Sequence, residues 1–192
     1  MFTHIFALLE YFDSKVKVFK ELFMSRPLIA DKPYPSLDGI SPDCRALHII
    51  SPAYASSTGE LNAILQYNYH AVTFECKGFE EYAELIDSVA VAEMMHLKLL
   101  GKLIFALGAQ PVYSVCPPAG FNFYSAKFVS YSRTLKNMLE DDVIAERHAV
   151  MSYAHMLDRL RNERVKEVIA RILEDEKLHL EAFTRLLAKL SD

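Results

Sequence analysis

The sequence predicts an all-α protein, an antiparallel four-helix bundle with one long crossover between its second and third helices. Its long apolar stretches repeat hydrophobic residues at steps of three and four, the period of an amphipathic helix. These stretches form two pairs, separated by a segment rich in proline and aromatic residues. The second member of each pair carries a glutamate followed three residues later by a histidine: Glu93 with His96, and Glu176 with His179. The predicted layout is two similar helix pairs joined by a crossover.

Composition limits the class of protein. With 192 residues, of which 52% are hydrophobic, the chain has enough apolar material for one domain with a sizeable core. The formal net charge of -4 and the scattered Lys and Arg residues give no basic stripe for a phosphate backbone, so we expect no nucleic-acid partner. No stretch approaches the ~20 uncharged apolar residues that span a bilayer, which disfavours a membrane protein.

The cysteines and the N-terminus indicate a compartment. Cys44, Cys76 and Cys116 are odd in number and lack Cys-x-x-Cys spacing, so neither a disulfide framework nor a thiolate zinc site is predicted. The N-terminus lacks the basic start and the small-residue cleavage site of a secretion signal. We therefore expect a cytoplasmic location.

Residues 1–52 are predicted to lie outside the bundle. Apolar residues at helical steps predict an amphipathic helix over residues 2–23, which either packs on the body or a neighbouring subunit or lies on a membrane surface. Residues 25–52 hold five of the eight prolines and are predicted to form an extended, proline-rich arm over the body. Pro52 stands where the next helix is expected to begin, since a first-turn residue needs no N–H.

The bundle is predicted to occupy residues 53–192. Its four helices are expected over about 53–76, 80–107, 131–160 and 165–190, with Gly78 and Gly108 ending the first two. The link within each pair is short, which implies antiparallel neighbours. The segment over 108–130 is too long for a turn and too aromatic for a disordered loop, so a packed crossover is predicted.

The first and third bundle helices each contribute one further glutamate, Glu60 and Glu146. A tyrosine follows each of them seven residues later on the same helix face, Tyr67 and Tyr153. The lone glutamate and the glutamate of the Glu-x-x-His pattern are 33 residues apart in the first pair and 30 in the second. This near-equality indicates an internal repeat of a two-helix unit.

Four carboxylates and two imidazoles match the needs of a dinuclear metal site. Buried together without cations, four carboxylates would repel one another and take up protons. Two divalent ions cancel the four negative charges, and oxygen and imidazole ligands suit both iron and manganese.

Other polar residues near this set have two interpretations each. Tyr67 and Tyr153 are either ordinary core residues or donors of a hydrogen bond to a metal ligand. Asp142, one turn before Glu146, either accepts a hydrogen bond from the outer nitrogen of His96 or is a solvated helix acid. Asp175 is similarly ambiguous, and the remaining histidines are expected in surface or core roles.

The pattern resembles the ferritin-like superfamily of di-metal carboxylate proteins, which includes bacterioferritins, rubrerythrins and manganese catalases. The resemblance covers about residues 54–190. Residues 60–70 (ELNAILQYNYH) resemble the first helix of bacterioferritins, and residues 172–179 (ILEDEKLH) resemble their fourth. The Pro33-Tyr-Pro35 segment, the longer N-terminus and the aromatic crossover are more similar to manganese catalases and their spore-coat relatives.

The resemblance implies a set of ligands and two bridging residues. By position, the metal ligands would be Glu60, Glu93, His96, Glu146, Glu176 and His179. Glu93 and Glu176 would bridge the two ions as the catalytic carboxylates, while Glu60 and His96 complete one ion and Glu146 and His179 the other. Met94 stands where bacterioferritins present a methionine to haem. Methionines on an apolar helix are typically packing residues, so no haem is expected.

The predicted function is redox chemistry with O₂ or hydrogen peroxide at a di-iron or di-manganese centre, of the peroxidase, catalase or ferroxidase kind. Two alternatives remain at this stage. An iron-storage protein would need a hollow shell of many subunits, and a structural or coat protein would hold the metal pair for stability. A homo-oligomer is expected, and the sequence does not indicate an electron donor.

Overall fold

A computed structural model describes residues 26–114 and 122–191 of the chain. In this part the chain forms five α-helices: α1 (Cys44–Ala55), α2 (Glu60–Cys76), α3 (Glu80–Ala106), α4 (Leu135–Arg159) and α5 (Glu163–Ser191). A short 3-10 helix, Ala126–Phe128, lies in the crossover before α4. The amphipathic helix predicted over residues 2–23 lies outside the described residues.

Helices α2 to α5 form the predicted four-helix bundle, with α2 packed on α3 and α4 packed on α5. Two apolar clusters fill its interior. One joins α1 to Leu103 of α3 and Ile169 of α5, and the other joins Phe74 of α2 to Phe183 of α5. Along α3 and α5 the Glu-x-x-His residues fall between these clusters. The apolar clusters therefore enclose a polar layer near the middle of the bundle.

The presence of helix α1 corrects the sequence prediction, which expected residues 44–52 to be extended. Asp43 caps this helix by accepting hydrogen bonds from the N–H groups of Arg45 and Ala46 at 3.0 and 2.9 Å. Pro52 lies inside α1, three residues before its end, rather than at the start of the next helix. Pro52 has no N–H to donate, so α1 lacks one hydrogen bond of its last turn. The predicted boundary between residues 52 and 53 therefore falls within α1.

The first bundle helix begins at Glu60, later than the predicted residue 53. Residues 56–59 form the turn that separates α1 from α2. A Cβ atom on Gly59 would lie 2.6 Å from the carbonyl oxygen of Ala53, so this close approach requires glycine. Ser56, by accepting from the N–H of Thr58 at 3.2 Å, orders the same turn.

The other helix ends lie near their predicted places. Gly108 follows α3 with a φ of 99°, a left-handed conformation that glycine adopts at little cost. The third bundle helix begins at Leu135 rather than near residue 131, because Thr134 caps it by accepting from the N–H of Asn137. The fourth begins at Glu163, two residues before the predicted Val165.

The described parts of the crossover are packed on the bundle, as predicted. The Tyr124 hydroxyl donates to Asn62 on α2 at 2.9 Å, and the Ser130 N–H donates to Gln66 at 3.2 Å. The ring of Tyr113 stacks on Tyr54 of α1, with ring centroids 5.5 Å apart. Residues 115–121 of the crossover lie outside the described residues. Among the described helices, none is both long enough and apolar enough to cross a bilayer.

Candidate metal centre

The bundle brings all six predicted ligand residues together in its buried middle layer. Each of the four bundle helices supplies one glutamate, and α3 and α5 add one histidine each. None of the six is more than 4% exposed: Glu60, Glu93, His96, Glu146, Glu176 and His179. The Glu-x-x-His spacing places both side chains of each pair on one helix face, directed toward the bundle axis.

Ligand atoms of these residues form two overlapping groups. One group is Glu60, Glu93, His96 and Glu176, and the other is Glu93, Glu146, Glu176 and His179. Within each group the ligand atoms lie within 4.8 Å of one another. Glu93 and Glu176 belong to both groups, which is the arrangement that two bridging carboxylates require.

Burial and mutual repulsion act strongly on the lone glutamates. The pKa of Glu60 is raised well above its usual range by burial and then by the nearby charges of Glu93 and Glu176. Burial, Glu176 and Glu93 raise the pKa of Glu146 in the same way. In the metal-free protein these two carboxyl groups therefore retain protons at a higher pH than ordinary glutamates.

Glu93 is held in its charged form by the two histidines. Burial acts to raise its pKa, but His179 and His96 outweigh burial and lower that pKa well below its usual range. The His96 Nδ1 atom lies 2.9 Å from Glu93 and 3.0 Å from Glu176, and the His179 Nδ1 atom lies 2.8 Å from Glu93. Although burial acts to lower the pKa of both histidines, these carboxylates raise it.

The donor set fits a pair of divalent metal ions. Four ligand atoms that face the middle of the layer lack a well-directed hydrogen bond within the described part of the chain: Glu93 Oε1, Glu146 Oε2, Glu176 Oε1 and His179 Nδ1. Buried polar atoms without partners are costly, and metal coordination would satisfy them. The ligand oxygen and imidazole atoms are those that iron and manganese share.

Two tyrosines support the terminal glutamates from the opposite helix pair. The Tyr67 hydroxyl of α2 donates to Glu146 Oε1 of α4 at 2.6 Å. The Tyr153 hydroxyl of α4 donates to Glu60 of α2. Both tyrosines are buried, and burial raises the pKa of each well above its usual range. Of the two interpretations, these tyrosines are therefore hydrogen-bond donors to predicted ligands. The two contacts are equivalent in the two halves of the internal repeat.

Neither of the two interpretations of Asp142 describes the structure, because Asp142 does not contact His96 and is not solvated. Asp142 instead pairs with the Nδ1 atom of His70 at 2.8 Å and accepts from Gln66 at 2.9 Å. The outer Nε2 atom of His96 faces Asp175 Oδ2 at 3.0 Å. Asp142 is fully buried because its own partners enclose it.

Sequence reasoning considered Asp175 but missed its partners and the contact behind His179. Asp175 contacts Arg171 at 2.6 Å and Tyr34 at 2.7 Å, and His179 Nε2 lies 2.8 Å from the carbonyl oxygen of Leu28. The four-residue spacing of Arg171 and Asp175 is a local signal for an ion pair on one helix. No sequence signal identifies the backbone carbonyl of Leu28, because that contact depends on the path of a distant segment.

A cavity of about 250 Å³ adjoins the ligand cluster between α2 and α4. Its inner wall includes the buried Glu60, Glu146 and Glu176, and its outer wall includes the exposed Ser57 and His148. The cavity therefore leads from the surface to the metal-binding layer. Among its described wall residues there is no Lys or Arg.

Comparison with solved structures agrees with this architecture. KatB, a manganese catalase from Anabaena, matches with a TM-score of 0.69 at 21% identity, over 84% of this chain and 79% of that chain. The bacterioferritin of Desulfovibrio desulfuricans matches with a TM-score of 0.63 at 20% identity, over 76% of this chain and 80% of that chain. BfrA, a bacterioferritin of Mycobacterium tuberculosis, matches with a TM-score of 0.65 at 21% identity, over 79% and 89%.

At these identities the structural likeness establishes the fold alone, which is the ferritin-like four-helix bundle. No curated protein matches the sequence. The family model described as rubrerythrin matches residues 54–187, which is more than half of the chain and includes all six predicted ligands. The chain therefore belongs to the rubrerythrin family.

Proposed function

We propose that this protein is an oxidoreductase that binds two iron or two manganese ions and uses O₂ or hydrogen peroxide as its oxidant. The observation that carries the proposal is the pair of overlapping four-residue groups that share Glu93 and Glu176. A bound metal pair would supply the redox chemistry, giving electrons to or taking them from a small oxidant such as O₂ or hydrogen peroxide.

Each ligand has a proposed role. Glu93 and Glu176 would hold both ions, since each lies in both groups. Glu60 and His96 would complete the coordination of one ion, and Glu146 and His179 that of the other. Tyr153 and Tyr67 donate hydrogen bonds to Glu60 and Glu146 and thereby hold these two carboxylates in the orientation in which they would bind metal.

The composition of the cavity between α2 and α4 favours entry of a small, uncharged oxidant. It reaches three of the four carboxylates, and its described walls carry Asp141 but no Lys or Arg. Such a wall disfavours anions and admits neutral molecules such as O₂ and hydrogen peroxide. Gln66 and Ser130 are among the wall residues and offer hydrogen bonds to a peroxide.

We also propose that the chain forms a homo-oligomer through the outer face of α3. Met94 and Phe105 on this helix are 48% and 63% exposed, and in this proposal Met94 is a packing residue of the interface between two copies. The first half of the same helix carries the acids Glu84 and Asp87, whereas the second half carries Lys98 and Lys102. In an antiparallel pairing of two copies, the acids of one helix meet the lysines of the other.

Peroxide turnover by the metal-loaded full chain tests the proposed chemistry. We expect disproportionation of 2 H₂O₂ to 2 H₂O and O₂ from a catalase, or donor-dependent loss of peroxide without O₂ from a peroxidase. Glu93→Ala and Glu176→Ala should abolish either activity, while the control Glu167→Ala, an exposed glutamate of α5, should retain it.

Two results would replace this proposal with an alternative. A shell of many subunits that accumulates iron would indicate storage. Metal binding that raises the melting temperature without turnover of peroxide or O₂ would indicate a structural role.

A further inference from the structure

The segment from Leu28 to Tyr34, here called the arm, lies against both Glu-x-x-His helices. The Leu28 N–H donates to the carbonyl oxygen of Ser88 on α3 at 3.1 Å. The Ala30 N–H donates to Asp175 Oδ1 on α5 at 2.7 Å, and the Tyr34 hydroxyl donates to Asp175 Oδ2 at 2.7 Å. The arm has no helix or strand of its own, so these contacts with the bundle hold it in place.

Arg171 of α5 forms a second set of contacts between the arm and the bundle. Its guanidinium donates to the carbonyl oxygens of Ala30 and Lys32 at 2.9 Å and ion-pairs with Asp175 at 2.6 Å. The same group lies 4.5 Å from the centre of the Tyr34 ring. Arg171 is 5% exposed and Asp175 is fully buried, so the arm covers a buried ion pair. Such a pair is stable only while its remaining hydrogen bonds are satisfied.

The arm also reaches the outer side of both predicted histidine ligands. His179 Nε2 lies 2.8 Å from the carbonyl oxygen of Leu28. His96 Nε2 lies 3.0 Å from Asp175 Oδ2, the same oxygen that accepts from Tyr34. The Tyr34 ring lies edge-on to the His96 ring, with centroids 6.2 Å apart. The arm therefore contacts His179 directly and His96 through Asp175.

These contacts select one tautomer of each imidazole. A carbonyl or carboxylate oxygen only accepts hydrogen bonds, so the Nε2 atoms of His179 and His96 carry the hydrogen. In a neutral imidazole the lone pair is then on Nδ1, the atom that faces Glu93 in both cases. A docked arm thus presents the coordinating atom of both histidines to the metal layer.

We propose that docking of the arm and binding of the metal pair stabilise one another, with Tyr34 and Arg171 as positioning residues that act through Asp175. This inference rests on the proposed metal site. The docked arm holds both histidines in the tautomer and orientation that coordinate metal, so its loss weakens metal binding. Because coupling between two binding events is reciprocal, bound metal strengthens docking of the arm by the same factor.

Two measurements on the full-length protein test this coupling. Hydrogen–deuterium exchange compares the arm with and without manganese, and we expect slower exchange over residues 28–34 in the loaded form. Metal titration compares wild type with Tyr34→Phe and Arg171→Met. We expect both variants to bind two ions at saturation, with affinity reduced by about 10–100-fold, the range typical for partners of metal-bound histidines.

Asp31→Ala is the matched control. Asp31 is an exposed residue of the arm, and in the described part of the chain its side chain forms no hydrogen bond or ion pair with the bundle. Its metal affinity should equal that of wild type. Chemical unfolding of the metal-free variants separates positioning from general destabilisation, since a purely structural arm would lower stability and leave metal affinity unchanged.

Equal exchange rates in the arm with and without metal, or wild-type metal affinity in both Tyr34→Phe and Arg171→Met, would overturn the inference. Failure of the wild type to bind either metal would overturn it together with the proposed function. Both expected effects in a protein without peroxide turnover would support the coupling and contradict only the proposed catalysis.

Discussion

At the scale of single residues, the centre concentrates four buried carboxylates in one layer of the bundle. Burial raises the pKa of Glu60 and Glu146, whereas the two histidines lower that of Glu93. Protons on the lone glutamates and on the histidines therefore balance the charge when metal is absent. The same atoms are the predicted metal ligands, so ions and protons compete for them.

This competition predicts that metal affinity falls as pH falls. Glu60 and Glu146 take up protons at a higher pH than ordinary glutamates, and a proton on either carboxyl group must leave before an ion binds. We expect manganese titrations between pH 8 and pH 5 to give a steadily weaker apparent affinity, with proton release detectable in a weakly buffered solution. An affinity that is constant over this range would contradict the assigned ligands.

The tyrosines provide a second test at this scale. Tyr67→Phe removes the hydrogen bond to Glu146. We therefore expect the ion that Glu146 would coordinate to bind about 10–100-fold more weakly, with two ions still bound at saturation. Stepwise metal titration measures this change. Tyr131→Phe, which loses an exposed contact to the carbonyl oxygen of Ala126, should bind both ions as wild type does. Equal affinities in the two variants would show that Tyr67 is an ordinary core residue.

How far the sequence predicts the site depends on how local each contact is. The Glu-x-x-His spacing is fixed by helix geometry, so residues such as Glu93 and His96 could be identified without a structure. The acceptor behind His96 could not, because Asp142 and Asp175 are equally plausible acids until the packing of α4 and α5 is known. The tertiary structure selects Asp175, and Asp142 pairs with His70 instead.

At the scale of secondary structure, the amphipathic pattern predicts the four bundle helices well, because apolar residues recur at helical spacing along each of them. The pattern fails for α1, where Pro42 before the helix and Pro52 within it suggested an extended chain. The cap at Asp43 and the burial of apolar residues such as Ile50 stabilise that helix. Its apolar side joins one of the two clusters that enclose the metal layer.

The turn between α1 and α2 has a testable constraint. Gly59→Ala would place a Cβ atom 2.6 Å from the carbonyl oxygen of Ala53, a backbone atom that cannot move without shifting α1. We expect a loss of about 1–3 kcal/mol in the free energy of unfolding, as for other overpacked sites. Urea denaturation measures it, with Ser57→Ala, an exposed residue of the same turn, as the control. An unchanged unfolding midpoint in Gly59→Ala would show that the turn accommodates a side chain.

At the scale of the whole molecule, the two apolar clusters and the arm enclose a polar layer that is stable only when its charges are balanced. Within the described part of the chain, the outer face of α3 is exposed at its acid Glu84 and its lysines Lys98 and Lys102 and half-buried at Asp87. Sequence periodicity predicts that such a face exists, but it does not show which molecule or segment packs against it. Self-complementary charge favours a second copy of the chain.

Charge reversal tests this self-association. One variant, Lys98→Glu with Lys102→Glu, makes the face acidic throughout, and a second, Glu84→Lys with Asp87→Lys, makes it basic. We expect each variant alone to have a lower mass than wild type in sedimentation experiments, and an equimolar mixture of the two to recover the wild-type mass. Wild-type mass for each separate variant would contradict an interface on this face.

The central claim, a metal pair bridged by Glu93 and Glu176, is tested most directly by elemental analysis of protein purified without chelator or affinity metal. We predict about two iron or two manganese ions per chain in wild type and in Glu167→Ala, and loss of the pair in Glu93→Ala and Glu176→Ala. A metal-free wild type that also fails to take up either ion, or an unchanged metal content in both bridging variants, would contradict the claim.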